Sequence, residues 1–311
     1  DMLGQSELTL LVDGRAMSKI SQGITTEVTG EGNSAAPVNE RILQDMKAFR
    51  EKYSLVVDWT DLDGYFHRLE TSKSAINLAT FVGATQVRRY VVGLDDRAPT
   101  EVELAQMKEL VRQAMMQGAL GLSTSLIYAP AAFAKIDELI ELAKVAAEFG
   151  GIYISHIRDE GNKEVEAVYE AADIARGAKL PVEIWHLKVA GKQNWGKMVS
   201  IVRLIEQHRQ QGIDMTANIY PYPASGTSLS SRIPVWAHDG GVEKLLARLQ
   251  DPATRKKIRD EVLGMAPGTD NAFAATGPEG ILIAGINNPE LKHYEGKRLN
   301  EIARTRKKHP V

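Results

Sequence analysis

Apolar positions along the chain follow two rhythms: short unbroken runs, and longer stretches with apolar residues three or four apart. The first predicts strands and the second helices, because side chains repeat every two residues in a sheet and every 3.6 around a helix. The stretch 151–191 shows both. Its runs 152–157 and 182–189 bracket Val165, Val168, Ala172 and Ala175 at helical spacing, which reads as a strand, a crossover helix and a second strand. Further strands are expected at 24–29, 76–82, 119–125 and 213–219, and one more at 281–286. Helices are expected at 38–53, 59–69, 101–117, 133–149, 195–210, 242–249, 252–263 and 299–306, with a short one over 10–20 and a loop over 268–280.

Six of these strands, at 24, 76, 119, 152, 182 and 214, alternate with helices without a repeat or a low-complexity linker. That is the pattern of a parallel sheet covered by helices. A (β/α)8 TIM-type barrel needs one strand before Asp1 and one after Val311, whereas an open doubly wound sheet needs neither. No glycine-rich phosphate loop opens a helix, and histidines at successive strand ends favour the barrel. The rhythm changes after Leu229. The expected organisation is therefore the main part of the barrel over 1–229, a small inserted excursion of helices and a strand over 230–297, and a return to the barrel over 298–311.

Composition narrows the function classes. A chain with 43% apolar and 25% charged residues has the balance of an ordinary enzyme with a full core. The net charge of −2 gives no electrostatic reason to expect nucleic acid or an anionic membrane as partner. No apolar run approaches the roughly 18–20 residues of a membrane span. With no cysteine there is neither a disulfide framework nor a thiolate ligand, so a metal would have to sit on histidine and carboxylate groups.

The candidate chemistry lies at the strand ends. His156 and His186 each stand near the carboxyl end of a strand, thirty positions apart. In a parallel sheet this brings them to one rim, where two imidazoles could share an ion. A satisfied core histidine is the alternative for either alone. Two in register, each followed two residues later by a cation (Arg158, Lys188), favour the ion. A hydrolytic zinc site needs three protein ligands and an open position. Glu31, in GEGNS directly after a strand, is the third candidate, with a solvated loop glutamate as the other reading. Lys188 could bind a substrate carboxylate or support the ligands, and Arg158 and Glu160 could pair beside them. Tyr128, Tyr220 and Tyr222 sit in loops after strands, where a hydroxyl could donate to an oxyanion or simply pack beside prolines. His67, His208, His293 and His309 read as structural or solvated, and no GxSxG elbow supports a serine hydrolase.

Five stretches, GITTEVTGEGNSAAP, GLSTSLIYAP, YISHIRDEG, IWHLKVAGKQNWGK and YPYPASGT with IPVWAHDGG, resemble in order and spacing the N-acyl-D-amino-acid deacylases of the amidohydrolase superfamily. The resemblance runs through essentially the whole chain. It implies a (β/α)8 barrel, zinc, and hydrolysis of N-acyl-D-amino acids to a carboxylate and a free D-amino acid. It also implies that His156 and His186 are zinc ligands, that Lys188 and Tyr128 contact substrate, and that one of Tyr220 and Tyr222 does so too.

The sequence departs from the family pattern at three places. The HxH pair usual at the end of the first strand is replaced by text with Leu3 and Gln5 in the histidine places, which argues for one zinc ion. Glu31 stands where many members carry a cysteine ligand. The catalytic aspartate of the family belongs to an eighth strand, beyond the text that KKHPV resembles. The expectation is thus an internal segment of a longer protein, inactive alone, whose general base follows Val311. Two other readings stand beside the deacylase. A cyclic amidase of the dihydroorotase or hydantoinase type shares the histidine spacing, but needs a carboxylated lysine on the fourth strand, and ALGLSTS has none. A barrel that binds a ligand without turning it over is the other.

Overall fold

The computed structural model describes residues 1–265 and 272–311. Among these, seven short strands form, all parallel: β1 (Thr26–Thr29), β2 (Asn77–Thr80), β3 (Val82–Gly83), β4 (Gly121–Ser125), β5 (Ile152–His156), β6 (Val182–Ile184) and β7 (Met215–Ala217). β1 pairs with β2, and β3 to β7 form a second sheet in sequence order. The single strand expected over 76–82 is thus split at Phe81. The halves belong together: the Leu120 amide donates to Thr80 O at 2.9 Å, so β2 meets the start of β4 just before β3 takes over the pairing. On the other side, Val28 N donates to Asp1 O and Gly4 N to Val28 O, both at 2.8 Å, laying the first residues along β1.

The described strands do not close into a barrel, but their sheet is strongly curled. Phe81 and Trp185 are three strand positions apart, about 14 Å on a flat sheet, yet their rings meet edge to face at 5.7 Å. Trp185 also reaches across to donate its indole N–H to Met2 O at 3.1 Å. Val28, Phe81, Ile154 and Trp185, with Leu3 packed against them, form a small apolar layer on the concave side. Helices cover the convex side, where the main core lies. Leu122, Tyr153, Val182 and Ile184 of the strands pack there against Met107, Val111, Leu142, Val168 and Ile201 of the helices.

The helix Glu101–Met116 begins on a capping box, in which the Thr100 hydroxyl and the Glu103 carboxylate satisfy each other's backbone amides. Two helices of the described residues are absent from the periodicity reading, Ala84–Val91 and Ala272–Gly280. Ala84–Val91 is short and sets Ala84, Val87 and Val91 at helical spacing, but it also buries Thr85, Gln86 and Arg88. Its buried Arg88 pairs with Glu138 at 2.6 Å and donates to backbone carbonyls.

β6 stops at Ile184, short of the expected 182–189, because its neighbour β7 ends at Ala217 and Asn218 takes over the next bonds. The side chain of Asn218 accepts the His186 amide at 2.7 Å, its backbone O accepts the Leu187 amide at 2.8 Å, and its amide group donates to Glu183 at 2.7 Å. In the C-terminal part, Ala237, Leu245, Ile258, Val262 and Phe273 form a second core, against which Leu299 and Val311 pack. The expected strand at 281–286 is only a bridge between Leu282 and Arg298. Of the loop expected over 268–280, residues 268–271 lie outside the described ones, and Ala272–Gly280 is helical with a break at Gly277.

Candidate metal centre

Three strand ends deliver three ligand-type atoms to one point. Glu31 follows β1, His156 closes β5 and His186 stands two residues past β6. Glu31 Oε1 lies 2.8 Å from His156 Nδ1, His186 Nε2 lies 3.0 Å from His156 Nδ1, and Glu31 Oε1 and His186 Nε2 are 3.5 Å apart. Among the described residues these three form a cluster whose ligand-type atoms lie close enough together to hold a metal ion.

Local structure explains each position. Gly30 and Gly32 flank Glu31 with φ of 95° and 66°, and a Cβ at Gly32 would lie 2.7 Å from Ser125 Cβ. Glycine lets the loop turn in the left-handed region and press against the end of β4. Ser125 then donates to Glu31 Oε1 at 3.2 Å, while Gln5 Nε2 donates to the other oxygen at 2.5 Å. His186 itself has φ of 40°, held there by Asn218.

The polar surroundings are asymmetric. Behind the imidazoles stands Glu160, whose Oε1 is 3.1 Å from His186 Nδ1, 3.5 Å from His156 Nε2 and 2.5 Å from Lys188 Nζ. Burial acts to raise the Glu160 carboxyl, but the His186 hydrogen bond and the charges of His156 and Lys188 hold it down at about 2. Glu31 is likewise pulled well below the carboxylate range by both imidazoles, against burial. Burial disfavours a charged His186, yet its hydrogen bonds to Glu160 and Glu31 bring its pKa up to about 9.

Of the substrate-contact candidates, Lys188 is not on a strand. It folds back beside His186, with Nζ 5.5 Å from the centre of the Tyr220 ring. Tyr128 lies with its ring 5.2 Å from that of His156, and its hydroxyl is 2.9 Å from Thr227 Oγ1. The Tyr220 ring is 6.2 Å from that of His186; Tyr222 stacks on its far side and is 65% exposed. Arg158 and Glu160 do not pair: Arg158 makes a double contact with Glu170 at 2.8–3.1 Å and binds the Ala132 and Ala134 carbonyls. Sequence reasoning placed Glu160 beside the ligands only as a partner of Arg158, and gave Gln5, Ser125 and Asn218 no part in holding the cluster. The partners of those three lie 26 to 94 positions away along the chain, so spacing carried no signal for them.

The donor set fits a zinc ion. Bonds of about 2.0–2.1 Å in a tetrahedron place ligand atoms about 3.3 Å apart, which matches the 2.8–3.5 Å triangle. Two imidazole nitrogens and a carboxylate oxygen are ordinary zinc donors, and the carboxylates add negative charge suited to a dication.

The chain is 37% identical over 220 residues to the D-aminoacylase of Alcaligenes xylosoxydans xylosoxydans, an alignment covering 68% of this chain and 43% of that protein. The chain belongs to the D-aminoacylase family of amidohydrolases. All of it superposes on a solved D-aminoacylase with a binuclear metal centre, with 28% identity, a TM-score of 0.74 and 56% of that chain covered. It superposes equally completely on the N-acyl-D-glutamate deacylase of Bordetella bronchiseptica solved with zinc and a phosphonate mimic of the tetrahedral intermediate, with 29% identity, a TM-score of 0.77 and 56% covered. No protein-family model matches the chain. Membership places its curled parallel sheet in the α/β amidohydrolase barrel class. The chain spans about half the length of the D-aminoacylase-family relatives it matches.

Proposed function

We propose that the protein carrying this chain hydrolyses the amide bond of N-acyl-D-amino acids at a single zinc ion held by Glu31, His156 and His186. The observation that carries this reading is the convergence of Glu31 Oε1, His156 Nδ1 and His186 Nε2 within 3.5 Å of one another. When bound, the ion would supply Lewis acidity toward an amide carbonyl and water. One ion is supported by the region of Leu3 and Gln5: Leu3 packs against the inner apolar layer, and Gln5 spends its amide on the outer oxygen of Glu31.

The chain's own groups divide the remaining work. Lys188 has donors beyond the one given to Glu160 and lies at the same opening, where it would take the substrate α-carboxylate. The rings of Tyr128 and Tyr220 lie beside the two imidazoles, and a hydroxyl of either would fix the acyl oxygen. A carboxylate contact, a carbonyl contact and the reacting bond are three fixed points, and the mirror-image substrate cannot satisfy all of them. Hydrolysis also needs a general base to take the proton of the attacking water. Glu31 and Glu160 do not suit that task, because both are held far below the near-neutral pKa that favours a base.

The experiment is elemental analysis of the dialysed full-length protein together with hydrolysis assays on N-acetyl-D-leucine and N-acetyl-D-glutamate. About one zinc per chain and turnover of D but not L substrates are expected. Two tightly held equivalents would reject the single-ion site, and binding without turnover would reject the enzyme.

A further inference from the structure

Resting on the metal site proposed above, we infer that Glu160 is the positioning residue for both metal-facing imidazoles, accepting the N–H that each ring turns away from the ion. A neutral imidazole that offers one nitrogen to a metal carries its proton on the other. His156 faces the cluster with Nδ1 and His186 with Nε2, so the protons lie on His156 Nε2 and His186 Nδ1. Both of those nitrogens face the same carboxylate oxygen, Glu160 Oε1, at 3.5 Å and 3.1 Å. His156 Nε2 is buried and makes no hydrogen bond in this structure, and Glu160 Oε1, at 3.5 Å, stands ready to accept its proton when the ring turns Nδ1 to an ion.

Glu160 is held for this task from two directions. Its backbone O accepts the Ala190 amide at 2.6 Å, tying the loop after β5 to the loop after β6. Lys188 Nζ donates to Oε1 at 2.5 Å and to His186 O at 3.1 Å. Lys188 Nζ is also 3.0 Å from His186 Nδ1. With the proton on Nδ1 both are donors, and their closeness follows from a shared acceptor in Glu160. Arg158, two residues earlier, is occupied by Glu170 and does not compete. One carboxylate thus sets the tautomer and the angle of two ligands at once, whereas such a support usually serves a single ring.

The test compares Glu160→Gln, Glu160→Ala and Lys188→Ala in the full-length protein by chelator competition for zinc. Imidazole N–H resonances of the zinc-loaded forms supply a second readout. Glu160→Ala should weaken zinc binding about 10–100-fold and expose two ring N–H protons to solvent exchange. Glu160→Gln keeps one neutral acceptor, so it should fall between that variant and the wild type and protect a single ring proton. Lys188→Ala leaves the acceptor itself in place, so both ring N–H protons should stay protected. Wild-type zinc affinity and two protected ring protons in Glu160→Ala would overturn this inference alone. A wild-type protein that binds no zinc would overturn both this inference and the metal site, which separates the two failures.

Discussion

Lowering the pH should weaken metal binding, with His186 setting the range. The ring has its pKa brought up to about 9: burial opposes the charge, but the hydrogen bonds the ring donates to Glu160 and Glu31 outweigh it. In the metal-free protein it is protonated at neutral pH, and coordination must displace that proton. Below about pH 9, each pH unit then lowers apparent affinity about tenfold, equivalent to about 1.4 kcal/mol. Between about pH 8 and pH 6 the loss from this one ring is about a hundredfold. The effect on the metal-free fold has the opposite sign. A histidine whose pKa rises from 6.5 to about 9 on folding gives stability that is fully present below about 6.5 and lost as pH rises through about 9. Over that window the melting temperature of the metal-free protein should fall while the increment produced by zinc grows. Chelator competition, corrected for the chelator's own protonation, measures the first effect. Calorimetry in buffers of different ionisation enthalpy counts the proton, about one per zinc near pH 7. An affinity that stays flat between about pH 6 and pH 8, or binding without proton release, would refute the reasoning.

Replacing His186 with alanine should release the metal, whereas His208→Ala, at a histidine buried against Tyr169 in another part of the fold, should leave it bound; elemental analysis decides. Lys188→Ala should raise KM for N-acetyl-D-amino acids with zinc retained, since a lost charge-assisted bond costs roughly 1.5–3 kcal/mol, or about tenfold to a hundredfold in kcat/KM. Unchanged kinetics would remove Lys188 from substrate binding. Gly32→Ala places a Cβ 2.7 Å from Ser125 Cβ at φ of 66°. It should cost about 1–2 kcal/mol for the backbone alone and loosen zinc by displacing Glu31. Glu164 is fully buried with neither oxygen partnered, and burial, helped by the nearby Glu160 charge, raises its pKa to about 8. Its stabilising share is present below about pH 4.5 and lost as pH rises through about 8. Glu164→Gln should therefore raise the melting temperature more at pH 9 than at pH 5, and an equal shift at both would contradict the buried charge.

The alternation of strand and helix was legible along the chain because each element carries its own period. The runs 152–157 and 182–189 form strands at Ile152–His156 and, over the start of the second run, at Val182–Ile184, and the helix between them shows its stripe of Val165, Val168, Ala172 and Ala175. The two histidines and Glu31 were legible for the same reason, since a residue at the end of a parallel strand lies on a known rim. Ala84–Val91 was not read, because its stripe of Ala84, Val87 and Val91 spans only two turns and its buried Arg88 pairs with Glu138, fifty residues away, so that it looks exposed in a sequence.

Tertiary structure alone decided how the rim is wired. That Arg158 turns to Glu170 while Glu160 turns to His156, His186 and Lys188 depends on which loops the sheet brings side by side. That β6 ends at Ile184 and hands His186 to Asn218 depends on the length of its neighbour β7. Strand periodicity fixes which residues reach an edge. A hydrogen bond or a shifted pKa also needs a partner within about 3 Å, and in this protein partners such as Glu160 and Lys188, 28 positions apart, or Glu31 and His156, 125 apart, meet only through the fold.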